Sequence, residues 1–517
     1  MRSTKLDPGP HKECGGGEVM VTSGNLPAER SSHRPIPLGG VVALVALLAT
    51  VAAFYTATIR DGNYWSDDYA LYVHHAKNIA EGRPYADTGH VYNRDVTDYS
   101  PRAYPPVFPL LLVPIYRACG LSLHAMKVEE VVFLFLTLLA VVAYWKRDLD
   151  WPYLAALVGI LGFNPYFWEL KDSVISDFPF LLFFYLTALL AAHAPREGPR
   201  WPMWAVATGA LLYCCIGTRI VGITVVAGLV LYEGVKYRKL TGFASTAMLV
   251  CFALLLVQFQ IFGGAGERSY ADQLHPPLAS IWSNGGELLR AFMNVWGRPW
   301  GRNASAVLFV MTTALAGLGA YKHKEKGLTS VEAFLCFYLP AILIPGPQGL
   351  RYLLPFVPFY LFLMLKGLQQ LSTNRRPAWA RAVLVLPLLL VALSYGEFFR
   401  HAHYGVIWQS DGRPSFNELC AFIKSNTKPN DVIVFRRSRA LSLFTSRPAA
   451  IYDYAHPERL SAEFARFSAS YVVVSPIFEE DRESLIPFID QNLSHFEEVF
   501  ENSDFKIYRV RVNWPEG

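Results

Sequence analysis

The chain has 517 residues, of which 52% are hydrophobic and only 17% charged, and its mean hydropathy is +0.24. That balance excludes an ordinary soluble enzyme and points to a polytopic membrane protein. A net charge of +5 is too small for this length to suggest a nucleic-acid partner, and the seven cysteines show neither a disulfide framework nor CxxC metal-ligand spacing.

Residues 1–37 are rich in Gly, Pro and charge and read as a disordered cytoplasmic tail. The first apolar run, Leu38 to Ile59, is long enough to cross a bilayer and has no small-residue cleavage pattern after it, so it is not a signal peptide. Ten further candidate spans follow at 121–145, 153–169, 177–194, 203–218, 219–233, 242–262, 304–321, 331–346, 352–371 and 380–397. Basic clusters at Lys146-Arg147, Arg196/Arg200, Lys236/Arg238/Lys239, Lys322/Lys324/Lys326 and Arg375/Arg376/Arg381 alternate with connections poor in Lys and Arg. With the tail inside, every cluster falls inside and the C-terminus lies outside. The run 203–233 is interrupted by Arg219 and reads as two short helices or a re-entrant pair.

The connection 60–106 is too long and too aromatic for a simple or disordered linker and is expected to be catalytic. Within 263–303, Ile281, Leu288, Leu289, Phe292 and Trp296 recur at helical spacing, which predicts a surface helix with an interfacial Trp. From Tyr404 the pattern becomes that of a small α/β domain. It has helices at FNELCAFIKSN, ERLSAEFARF and DRESLIPFIDQNL, strands at 431–435 and 470–475, and a hairpin around Asn502-Ser503-Asp504. The expected organisation is thus a tail (1–37), an all-α membrane domain of about eleven helices (38–397) and an extracytoplasmic α/β domain (398–517).

Candidate chemistry lies at the outer ends of these spans. Ser66-Asp67-Asp68 opens a helix that carries Tyr69, Tyr72, Val73, Ala76, Ile79 and Ala80 on one face and stops at Gly82. The two acids either stabilise the helix start through its dipole or supply a general base. In ELKDSVISD (169–177), Glu169 fits interfacial solvation, while Asp177 fits a site as well as it fits the interface. Arg219 and Arg351 sit where the positive-inside rule disfavours them; each could hold a phosphate in its guanidinium fork, pair with a carboxylate, or snorkel. His74 and His75 read as surface residues, and no nucleotide-binding loop or Ser/His/Asp pattern is evident.

An initial membrane helix, then DDYALYVHHAKNIAEGRPY, then YPPVFPLLLVPIYRACG resembles the GT-C membrane glycosyltransferases, nearest to protein O-mannosyltransferases and the lipid A aminoarabinose transferase. ISDFPFLLFFYL, GTRIVGITVVAGLVLYEGVKYRK, RYLLPFVPFYLFL and VIVFRRSRALSLFTSRPAAIY extend the likeness over about residues 38 to 460. The resemblance implies transfer of a sugar from a polyprenyl-phosphate donor to a protein, lipid or polysaccharide acceptor outside a bacterial inner membrane, with inversion and no separate cofactor. It implies Asp67 as base with Asp68 assisting, and Arg219, Arg351, Lys171 and Arg102 as candidates for the donor phosphate. Asp172 and Asp177 are further acidic candidates. The family often has Glu where Asp68 and Asp177 stand, so the reach of each carboxylate is shorter here. Carboxylates alone leave a divalent metal open. The alternatives are a lipid or sugar transporter, against which the lack of an internal repeat speaks, and a non-catalytic assembly protein working through 404–517.

Overall fold

A computed structural model describes residues 36–65, 67–96, 103–263, 278–297, 301–344, 349–373, 378–407 and 411–511, and Pro37 onward forms one compact unit. Residues 1–35 of the expected tail, Ser66 and Arg102 lie outside the described residues. Among those residues five helices are long and apolar enough to cross a membrane: Leu38–Ala57, Trp201–Thr218, Ile220–Tyr237, Gly242–Phe262 and Ser305–Lys326. Four shorter apolar helices, Val107–Cys119, Trp151–Gly162, Asp177–His193 and Ser330–Ala341, pack among them.

The helices that carry the later argument are α1 (Leu38–Ala57), α2 (Asp68–Glu81), α3 (Val107–Cys119), α4 (Leu123–Trp145), α5 (Trp151–Gly162), α6 (Pro165–Leu170), α7 (Asp177–His193), α8 (Trp201–Thr218) and α9 (Ile223–Tyr237). After them come α10 (Gly242–Phe262), α11 (Leu278–Phe292), α12 (Gly301–His323), α13 (Ser330–Ala341), α14 (Val357–Thr373) and α15 (Ala378–His401).

Two apolar runs break where the sequence offers a local reason. The single span expected at 153–169 divides into α5 and α6, because the Asn164 side chain accepts the amides of Tyr166 and Phe167 and Pro165 takes the first helical position. The run 203–233 divides at Arg219, whose backbone is extended, followed by a short 3-10 turn. The expected span 331–346 opens on a capping box, Thr329 with Glu332, and its helix stops at Ala341, just past Pro340. The helix expected in 263–303 is present as α11, but Trp296 is no interfacial residue. It is fully buried, with its indole N–H donating to Thr312 at 3.1 Å.

The C-terminal segment adds α16 (Pro414–Asn426), α17 (Ser438–Thr445), α18 (Leu460–Phe467) and α19 (Ile486–Gln491). Its strands are β2 (Val432–Val434), β3 (Ala449–Ala450), β4 (Ala469–Val474), β5 (Phe496–Glu501) and β6 (Lys506–Val510). The hairpin expected around Asn502–Asp504 joins β5 to β6. The sixth strand comes from the long connection far upstream. β1 (His90–Val91) pairs in parallel with β3, giving the order β1-β3-β2-β4-β6-β5. One apolar core then unites Tyr69, Tyr72, Val73 and Ala76 of α2, Phe108 and Leu112 of α3, and Phe416, Ile433, Leu441 and Phe505 of the C-terminal segment. The long connection is therefore built into the sheet and its core.

Candidate active site

α2 is enclosed on nearly all sides: every residue from Tyr69 to Ala76 is buried, because α3 and α17 pack against it. The one-sided face expected from sequence is accordingly too narrow, and His74 and His75 are not surface residues. The His75 ring stacks on Tyr85 at 4.1 Å, donates from Nδ1 to the Tyr85 carbonyl and accepts the Tyr104 amide at Nε2. That pair of bonds requires the neutral ring, and burial pushes its pKa down to about 3. His75 thus fixes the backbone of Tyr104 beside the start of the helix.

At that start the two acids do not both stand inside the helix. Asp67 stands just before the helix, 1% exposed, with φ at +53° in the left-handed region; Asp68 is the first helical residue. Asp and Asn adopt this backbone more readily than other side chains, yet it still carries strain of a kind that collects at functional sites. The adjacent acids are aimed differently as a result.

Asp68 accepts from the Tyr104 hydroxyl at 2.7 Å and faces both terminal nitrogens of Arg351 at 3.3 Å. Arg351 also approaches Asp177 at 3.8 Å, and Asp177 is paired with Arg219. Four residues proposed from sequence thus form one chain of alternating charge: Asp68, Arg351, Asp177, Arg219. The α8–α9 break holds Arg219 in place, and the turn before α14 holds Arg351. Tyr72 borders the chain, bonded to Ser176 at 2.9 Å and stacked on Tyr104, with its hydroxyl pushed up to about 12 by burial.

Lys171 and Asp172 go elsewhere. Both are fully buried, and Asp172 binds Lys171 at 2.7 Å and Arg60 at 2.6 Å. Trp168 lies against both cations. Burial pushes Lys171 down to about 8 despite its partner. Lys127 of α4 reaches the carbonyls of Arg60 and Gly62, so this second cluster ties the beginning of the long connection to α4 and to the α6–α7 link. Beside it lies a cavity of about 740 Å³ lined by Tyr166, Trp168, Glu169, Asn294, Glu397 and His401, with Leu350 next to Arg351 on its wall. Glu169, assigned to solvation from sequence, faces this space. Among the described residues no three His, Cys, Asp or Glu side chains gather as a metal-ligand set.

Sequence reasoning missed Tyr104, Lys127, Asp411 and Arg439. Lys127 had a readable signal, a charge inside an apolar helix, where such groups mark buried polar contacts. Tyr104 and Arg439 had none, since their partners are distant in sequence.

No family model matches the chain, and no curated relative matches it. Solved structures do. ArnT of Cupriavidus metallidurans bound to undecaprenyl phosphate superposes with a TM-score of 0.55 at 15% identity, over 91% of this chain and 98% of that one. The oligosaccharyltransferase AglB of Archaeoglobus fulgidus, in complex with an inhibitory peptide and a dolichol-phosphate, gives 0.55 at 11% identity, over 92% and 74%. The mycobacterial arabinofuranosyltransferase AftD gives 0.53 at 12% identity, over 93% and 40%. The chain shares its fold with these structures. The resemblance read from the sequence motifs holds at the level of shape, and in this chain the long connection with its pair of acids follows α1 directly. The five apolar spans accord with an integral membrane protein.

Proposed function

We propose that the protein is a membrane glycosyltransferase that moves a monosaccharide from a polyprenyl-phosphate donor to an acceptor hydroxyl on the extracytoplasmic face. About eleven helices would form the membrane part, with the N-terminus cytoplasmic and residues 398–517 outside. The observation that carries the reading is the charge chain, which draws carboxylates from two helix starts and arginines from a helix break and an inter-helix turn to one place. Support comes from the structural neighbours, one bound to undecaprenyl phosphate and one to a dolichol-phosphate.

In this reading Asp67 takes the proton of the acceptor hydroxyl as that oxygen forms its bond to the anomeric carbon. The sugar–phosphate bond breaks on the opposite face, so the centre inverts. Asp68 orients the acceptor. The departing lipid phosphate gathers charge, and Arg351 and Arg219 stabilise it through their forked donors, exchanging a carboxylate contact for a phosphate one. Phosphate leaves without a strong general acid, so no further proton donor is required.

The test is glycan analysis of cells lacking the protein, complemented with wild type or Asp67→Asn. Asn tolerates the left-handed backbone, so the substitution removes charge with little strain. A general base contributes roughly 10²–10⁴-fold, and a loss of at least about a hundredfold in transfer is expected. Full complementation by Asp67→Asn would sink the base assignment, and lipid movement without transfer would favour a transporter.

A further inference from the structure

Arg439 lies on α17, in the C-terminal segment, 371 residues beyond Asp68 in the chain. It is 4% exposed and enclosed by the core that α2 and α17 share. Its guanidinium donates to the Tyr104 hydroxyl at 3.3 Å and comes within 3.9 Å of Asp68 Oδ1. Tyr104 in turn donates to that same oxygen at 2.7 Å. The other carboxylate oxygen faces Arg351. The two oxygens of one acid are therefore addressed from opposite parts of the chain, one by the turn before α14 and one by the C-terminal segment.

We infer that the C-terminal segment supplies a positioning residue to the reaction centre: Arg439, acting through the Tyr104 hydroxyl, fixes the rotamer of Asp68. This inference rests on the glycosyltransferase reading above and names a residue that reading does not use. A carboxylate at the exposed end of a helix swings freely unless both oxygens are engaged, and a donor that is itself hydrogen-bonded by a guanidinium binds more firmly. The α17 end of the relay is held by its own contacts with the connection. Ser438 meets His90 at 3.1 Å, and Ser442 donates to the Thr88 carbonyl at 2.7 Å. His75 fixes the Tyr104 backbone from the other side. Every member of the relay is anchored independently of Asp68, as a positioning device requires.

The experiment uses the full chain in membranes of the producing cells, which carry their own lipid-linked sugars, and follows the release of polyprenyl phosphate. Melting temperatures of the purified full-length proteins are measured alongside. Arg439→Met is expected to lose roughly tenfold in rate, and Arg439→Lys to recover most of it. Tyr104→Phe keeps the ring on Tyr72 and removes one oxygen, so it tests the relay with the fold intact. It is expected to lose a comparable factor, and the double variant to lose no more than about twofold beyond Arg439→Met, because both act through one chain. Three results with an active wild type overturn the inference and leave the donor reading standing. These are full activity in both single variants, losses that follow the melting temperature alone, and losses that multiply in the double variant. If wild-type membranes release no more polyprenyl phosphate than membranes lacking the protein, the donor reading falls and this inference falls with it.

Discussion

Asp67 and Asp68 are neighbours in sequence with the same side chain, yet the backbone gives them different surroundings. Asp67 is turned inward by a left-handed φ, and Asp68 is held in the charge chain. Spacing alone located the pair but could not divide the roles, because the deciding contacts come from Tyr104, Arg351 and Arg439. Asp411 illustrates a residue with no legible signal. Its carboxylate accepts from Tyr69 and from the Asn63 amide, and burial pushes its pKa up to about 6 against those bonds. A carboxyl raised in the fold above its unfolded value near 3.9 binds its proton more tightly when folded. Its contribution to stability is therefore full below about pH 4 and lost as pH rises through about 6. The melting temperature of Asp411→Asn in detergent should be flatter than that of wild type across this window; an unchanged slope would show that Asp411 does not titrate there.

At the scale of elements, helix positions were legible and helix breaks only partly so. Asn164-Pro165 is a helix-start signal inside an apolar run, and hydropathy overrides it until the Asn164 side chain is seen on the two amides. Packing between elements was not legible. α12 and α14 approach so closely that a Cβ on Gly367 would meet the Leu315 carbonyl oxygen at 2.1 Å, while one on Gly319 would meet the Leu363 oxygen at 1.9 Å. Gly317, on the same helix, faces open space. Gly367→Leu is expected to force the helices apart and cost about 1–3 kcal/mol, seen as a clear fall in melting temperature. Gly317→Ala should leave it unchanged or raise it. Equal behaviour of the two variants would refute the close approach.

At the scale of the whole molecule, the connection 60–106 is held by the C-terminal segment as much as by the membrane helices. β1 extends the sheet, and Gly89 just before it has φ at +66° with its carbonyl bonded to the Ala449 amide. A Cβ there would strike Ser442 Oγ at 2.4 Å, on the helix that carries Arg439. Gly89→Ala combines backbone strain with that collision, and a cost of about 1–3 kcal/mol is expected. Transfer should fall together with the melting temperature, and a variant of wild-type stability and activity would show that β1 is not needed to hold the site. Residues on both sides of 397 share one apolar core, so the change of composition there marks no break in packing.

The sequence by itself determined the membrane character, the long aromatic connection, the pair of acids and the two arginines standing outside basic clusters. Hydrophobic length and charge placement are local quantities, and each residue carries its own share of them. Only the tertiary structure decided that Asp68, Arg351, Asp177 and Arg219 form one chain, that Lys171 and Asp172 belong to another cluster, and that Arg439 reaches Asp68 through Tyr104. Asp68 with Arg351 and Tyr104 with Arg439 join residues hundreds of positions apart. Charges have many possible partners in a sequence, and the packed geometry selects among them.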